Sequence, residues 1–252
     1  MTLRAALCVV LVSLIAGCVS SGGSSPMTTD KGRDAARQAY VQLGLGYFQQ
    51  GLTEQAKIPL SKALELDNAD PDTHAALGLV YQSEMEYELA DQSYRKALDA
   101  RPKDARILNN YGSFLYEQQR YQDAYAQFQK AVADTLYPER SRVYENLGIT
   151  ALKLGQRDIA REHLVKALRL NPKQPRALLE MADVSYSDKQ YVPARDYYER
   201  FSLLSKQNAR SLLLGARLAT VFDEHATTVN NGQQLKRLYP GTPEYQQYLS
   251  EQ

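Results

Sequence analysis

The chain predicts an all-α solenoid of stacked helical hairpins, on three observations. Small residues recur in parallel ladders with a period near 34. Within each period apolar residues fall three and four apart. Prolines occupy one fixed point near the end of a period. The first ladder is Gly44, Gly78, Gly112, Gly148 and Ala182, with spacings of 34, 34, 36 and 34. Ala56, Ala90, Ala124, Ala160 and Ala194 keep the same spacings, and Ala63, Ala97, Ala131 and Ala167 run in step. Pro102, Pro172 and Pro240 stand where a proline ends a helix without costing a hydrogen bond.

Before the ladders comes an address. Arg4 and the amino terminus give a short positive region, Ala5 to Ile15 is almost wholly apolar, and Ile15-Ala16-Gly17-Cys18 closes the run with small residues. This is the pattern of a secretory signal, and the apolar run is too short to span a bilayer comfortably, which takes about 20 residues. The ending resembles the lipobox of bacterial lipoproteins, which implies removal of residues 1–17 and acylation of Cys18. A plain signal peptide with an incidental cysteine is the duller reading. Cys8 leaves with the signal, so the mature chain holds one cysteine and no internal disulfide. Residue 19 is Val where retention signals of the inner membrane commonly carry Asp, so the resemblance implies the periplasmic face of the outer membrane. Residues 18–36 then read as the lipidated Cys and a flexible tether. The Gly/Ser/Thr-rich part, Val19 to Asp30, has a reach of about 20 Å.

From residue 37 the hairpins begin. Tyr40, Leu43, Gly44 and Tyr47, then Ala56, Leu60, Ala63 and Leu64, give two amphipathic stretches per period. Turns such as Gln50-Gly51-Leu52 and Gln118-Gln119-Arg120 leave room only for an antiparallel return. A glycine inside a helix costs about 1 kcal/mol against alanine, so four in register require close helix approach. A side chain at Gly78 is expected to push the second helix off Ala90.

These series resemble the tetratricopeptide repeat, with its small residues at unit positions 8, 20 and 27 and proline at 32. The resemblance implies a right-handed superhelix of six units at 37–70, 71–104, 105–140, 141–174, 175–208 and 209–242, with a cap at 243–252. The third unit carries two extra residues, placed at Asp134 to Pro138. The sixth is degenerate, with Thr228 and Gly232 where alanine and an aromatic belong, as expected of a terminal unit that faces water.

No catalytic constellation is present in the pattern. His74, His163 and His225 lie at different phases of different units, and Glu224-His225 lacks the second histidine a zinc helix needs. Gly44-Leu45-Gly46 follows no strand and belongs to the glycine ladder. No enzyme, cofactor or metal is expected. With 30 basic and 29 acidic residues and a net charge of +1, there is no electrostatic reason to expect nucleic acid. The 18 Tyr, against 5 Phe and no Trp, suit half-buried rings with one wet edge.

What remains is surface. The first helix of each unit lines the inner side of a solenoid, and the resemblance assigns that face to unit positions 2, 5, 9 and 12. In the first two units Val41, Leu45, Phe48, Ala75 and Leu79 form an apolar partner-binding patch, unless the chain before residue 37 folds over them. Farther on the face turns polar, with Arg106, Arg142, Arg176 and Arg210 at position 2 and Asn109, Asn110 and Asn146 nearby. This is either a groove for a carboxylate or acidic segment, or a set of charges paired with acids such as Glu145 and Glu180.

Lipobox, tether and six repeats together are similar to the outer-membrane lipoproteins required for type IV pilus biogenesis and stability, the pilotins. That resemblance implies a monomer that binds secretin subunits of the pilus and carries them to the outer membrane on its lipid. There it promotes their assembly. A rival reading is a periplasmic lipoprotein scaffold that recruits cell-wall enzymes or outer-membrane assembly factors.

Overall fold

A computed structural model describes residues 29–251. The signal, Cys18 and most of the tether lie outside the described residues. Among those described, thirteen helices alternate with short turns, and there is no strand. The chain divides into two compact units at Ala100/Arg101. The repeat pattern over 37–252 runs through both units. Each hairpin of a solenoid contacts only its neighbours, so no single core ties the array together.

The first unit holds α1 (Asp30–Gln49), α2 (Thr53–Leu66), α3 (Pro71–Ser83) and α4 (Tyr87–Ala100). The second holds α5 (Ala105–Glu117), α6 (Tyr121–Val132), α7 (Arg140–Lys153), α8 (Arg157–Leu170), α9 (Pro175–Ser187), α10 (Tyr191–Ser202), α11 (Ala209–Val221), α12 (His225–Leu238) and α13 (Pro243–Ser250). Consecutive helices pair as six hairpins, and α13 packs on α11 and α12 as a lone terminal helix.

Helix α1 begins at Asp30, seven residues before the expected start, so residues 30–36 are helix and not tether. Thr29 caps it by accepting from Gly32 N at 3.0 Å. Two further contacts hold the extra turns. Arg33 Nη2 donates to Leu66 O at 3.2 Å, and Arg37 pairs with the fully buried Asp70. The added turns extend the helix away from Leu45 and Phe48, so they do not cover that face. Most first helices start at a polar cap supplied by the previous loop, such as Asp70 accepting from Thr73 N at 2.8 Å.

Every hairpin turn closes in one way. Residues 51, 85, 119, 155, 189 and 223 all have positive φ. The next amide donates back five residues, as in Leu52 N to Tyr47 O and Glu224 N to Ala219 O. This is the Schellman closure, which favours glycine. Only Gly51 and Gly155 supply glycine; Met85, Gln119, Lys189 and Asp223 hold φ near 60° with a side chain present.

The glycine ladder is explained by packing, though not against the residues expected. A Cβ on Gly78 would lie 2.8 to 2.9 Å from the Tyr94 ring, and one on Gly112 2.6 Å from Phe128. Gly44 and Gly148 meet Leu60 and Leu164 in the same way. The large residue sixteen positions on fills each notch, while the alanines at 56 and 160 add only a backbone oxygen at 3.2 Å. In the degenerate last hairpin the roles reverse. Gly232 stands where an aromatic belongs, and the Tyr248 ring of α13 occupies the space its side chain would need.

Candidate functional site: the inner faces of the two units

In the first unit, Val41 and Ala75 are 4% and 0% exposed. Neither offers surface to a partner, which corrects their assignment to the open patch. The cause is general. Helix α1 packs on α3 as well as on its own hairpin partner, and the fifth residue of each repeat is buried. Asn109, Glu145, Leu179 and Leu213 occupy the same place in the second unit and are buried too. Leu45, Phe48 and Leu79 stay half-buried, with Leu45 and Phe48 packed on the cluster of Val41, Leu60, Leu77 and Val80. The apolar face of the first unit is therefore a narrow strip of ninth and twelfth residues. Gln82 borders it and accepts from Tyr94 Oη at 3.0 Å.

In the second unit the expected arginine ladder is an alternation of both charges. Arg210 grips Glu180 with both guanidinium nitrogens, Nη1 to Oε1 at 2.6 Å and Nη2 to Oε2 at 2.8 Å, and also pairs with Asp183. Arg217 holds Glu251 at 2.9 and 2.5 Å. Arg142 pairs with Glu139 at 3.4 Å, and Arg106 lies 3.8 Å from Asp104. Glu145 Oε2 accepts from Ala177 N at 3.1 Å, with the Arg176 charge nearby. Burial pushes the Glu145 and Asp183 carboxyls up, against the opposing pull of Arg176 and Arg210 respectively. Hydrogen bonding to Glu180 drives the Arg210 pKa up, so it keeps its charge at any working pH. For Arg210 the paired reading, not the open clamp, is what the geometry contains. Asn146 Nδ2 donates to Asn109 Oδ1 at 3.1 Å, while Asn110 is half-exposed beside them.

Two concavities follow this face. One of about 380 Å³ lies between Leu152, Val184 and the Glu180/Asp183/Arg210 cluster; one of about 210 Å³ lies between Tyr116, Asn146 and Arg176. Sequence reasoning missed Tyr116, Leu152 and Tyr186 at position 12 and Asp183 and Arg217 at position 9. The rule that found Leu45 and Phe48, carried along the chain, finds them all.

His74 and His163 serve packing, and His225 is exposed at the start of α12. His74 Nε2 lies 2.9 Å from Asn68 O, and His163 Nε2 lies 2.9 Å from Tyr125 Oη between two tyrosine rings. Among the described residues no group of His, Cys, Asp and Glu is placed to hold a metal ion, and no helix is long and apolar enough to cross a membrane.

Sequence profiles of the tetratricopeptide repeat, a scaffold and adaptor fold, match residues 38–70, 71–104, 103–173 and 146–202. The type IV pilus assembly protein PilF of Pseudomonas aeruginosa is 57% identical over 251 residues, all of both chains. A solved structure of Pseudomonas aeruginosa PilF superposes with a TM-score of 0.86 at 58% identity, covering 88% of this chain and 100% of that one. The crystal structure of PilW, described as a widely conserved type IV pilus biogenesis factor, gives a TM-score of 0.74 at 29% identity over 84% of this chain and 98% of that one. Identity at this level from end to end, on a fold built of the same hairpins, makes the chain a member of the PilF family of tetratricopeptide-repeat proteins.

Proposed function

We propose that the chain acts in type IV pilus assembly as a non-enzymatic binding scaffold. In this reading it is an outer-membrane lipoprotein anchored through Cys18 and facing the periplasm. It receives secretin subunits of the pilus and promotes their location and multimer assembly, as a monomer, without a cofactor or nucleic acid. The observation that carries the reading is full-length identity of 57% to a protein named for type IV pilus assembly. The fold supports it. Preformed hairpins offer side chains to an extended or helical segment without refolding.

Leu45, Phe48 and Leu79 are the residues we assign to the contact, as half-buried apolar side chains on a first-helix face. Site-specific photocrosslinking from Phe48 in envelopes tests this directly and is expected to capture the secretin. Leu45→Glu with Phe48→Glu is expected to reduce secretin multimers. Multimers of normal abundance and location in that variant, with its circular dichroism unchanged, would remove this face from the proposal. Cys18→Ala is expected to give a folded, unanchored chain, and normal secretin sorting there would make the lipid dispensable.

A further inference from the structure

We propose that one edge of the second unit, formed by the loops between its hairpins, docks on an anionic phospholipid surface through protruding leucines set among unpaired cations. Antiparallel hairpins stacked side by side place the end of each second helix and the start of the next first helix on one edge. Hydrogen bonds join neighbouring loops there, from Arg200 Nη2 to Pro172 O at 3.5 Å and from Tyr239 Oη to Gln207 O at 3.2 Å.

Apolar side chains stand out from this edge. Leu136 is 89% exposed at the tip of the two-residue insertion, where Asp134 Oδ1 accepts from its amide at 2.9 Å. Leu203 is 86% exposed, and Leu170, Leu204 and Leu238 are about half-exposed at equivalent points of three successive repeats. Between them lie Lys166, Arg169, Lys173, Lys206, Lys236 and Arg237, all exposed. Among the described residues none of these six forms an ion pair, while Lys166 Nζ lies 5.8 Å from the centroid of the Tyr144 ring.

The opposite edge, made of the turns inside hairpins, differs. Arg120 pairs with Asp123 and Arg157 with Asp188, and Asp158, Asp223 and Glu224 add negative charge. Lys153 and Lys189 are exposed there as well, and Asp134, Glu139, Glu199 and Glu244 lie at the loops between hairpins, but cations outnumber acids on the loop edge and acids outnumber cations on the opposite one. Protein interfaces bury contiguous apolar cores and are poor in lysine. Single leucines on separate tips, ringed by lysine and arginine, instead suit a bilayer surface, where apolar side chains enter the acyl boundary and cations meet phosphate. This inference does not depend on the secretin reading.

The chain has no tryptophan, so one introduced residue reports its own surroundings. The full chain carrying Leu203→Trp, or separately Leu136→Trp, is mixed with vesicles of phosphatidylcholine alone or of phosphatidylcholine with an equal part of phosphatidylglycerol. A blue shift of emission is expected with the anionic vesicles only. Val192→Trp, exposed on the opposite edge, is expected to show none. Lys166→Glu, Arg169→Glu and Lys173→Glu together in the Leu203→Trp chain are expected to lower the vesicle affinity read by the shift at least about a hundredfold, about fivefold for each cation lost and more for the carboxylates added. Equal shifts at all three reporter positions, a shift indifferent to lipid charge or to the reversals, or no shift, each overturns the proposal. A shift produced by an envelope protein fraction but not by vesicles also overturns it, and assigns the edge to a protein.

Discussion

Adding one methyl group at Gly112 places a Cβ 2.6 Å from Cε1 of Phe128, inside the ring's van der Waals surface. Phe128 is 1% exposed, so its ring is enclosed by packed neighbours. Overpacking of this kind costs about 1–3 kcal/mol, while replacing a mid-helix glycine by alanine returns about 1 kcal/mol. Gly112→Ala alone should therefore destabilise by up to about 2 kcal/mol. Phe128→Ala alone should cost about 3–5 kcal/mol, from lost burial and an unfilled cavity. With the ring gone the new methyl meets no obstacle and fills part of the void, so Gly112→Ala should stabilise the Phe128→Ala protein by about 1 kcal/mol. Loss of the overpacking term makes the double variant about 1–3 kcal/mol more stable than the sum of the singles. Urea unfolding of the four proteins, followed by far-ultraviolet circular dichroism, measures the cycle. Additivity within about 0.5 kcal/mol would refute the notch as the reason for the glycine.

The hairpin turns make a second expectation. Met85→Gly should stabilise by up to about 1 kcal/mol because a side chain at positive φ is strained there, and Gly155→Ala should destabilise by a similar amount, both read from thermal midpoints. His163 gives a pH dependence. Burial holds its pKa below the ordinary value, aided by Lys166, so the unfolded chain takes up the proton first. The stability contributed by neutral His163 is present above the unfolded value near 6.5 and is lost as pH falls from there through the folded value, a loss that His163→Gln should erase in urea titrations. Arg210→Ala leaves Glu180 and Asp183 without their cation and should cost about 1–3 kcal/mol, discounted for the partial exposure of the arginine, with chemical denaturation as the measure. Tyr248→Ala empties the space beside Gly232, so amide exchange in residues 243–250 should accelerate while that of α5 and α6 stays unchanged.

The hairpins were legible because small residues cannot drift from positions where helices nearly touch, so Gly44, Ala56 and their repeats record the contacts directly. What lay opposite each glycine was not legible from the ladder. Leu60, Tyr94, Phe128 and Leu164 share bulk but not identity, and a search for one repeated residue passes over them. The start of α1 was hidden because residues 30–36 have no repeat to match, and the ion pair of Arg37 with Asp70 joins residues far apart in sequence. The open patch was overdrawn at Val41 and Ala75 because a face counted on one isolated helix ignores the neighbouring first helix that covers its edge. At Met85, Gln119, Lys189 and Asp223 no glycine marked the left-handed residue, since the five-residue return bond holds the turn whichever side chain is present.

For Gly44, Gly78, Gly112 and Gly148 the sixteen-residue separation between the notch and the side chain that fills it lies wholly within one hairpin. Lengthening the chain between hairpins leaves every such pairing in phase, as the two additional residues after α6 already do. Lengthening it inside a hairpin throws bulk and gap out of step. Natural variation in this lineage should accumulate length changes at the one kind of junction and shun the other. A hairpin moved whole to a new place in the array should carry its lock with it.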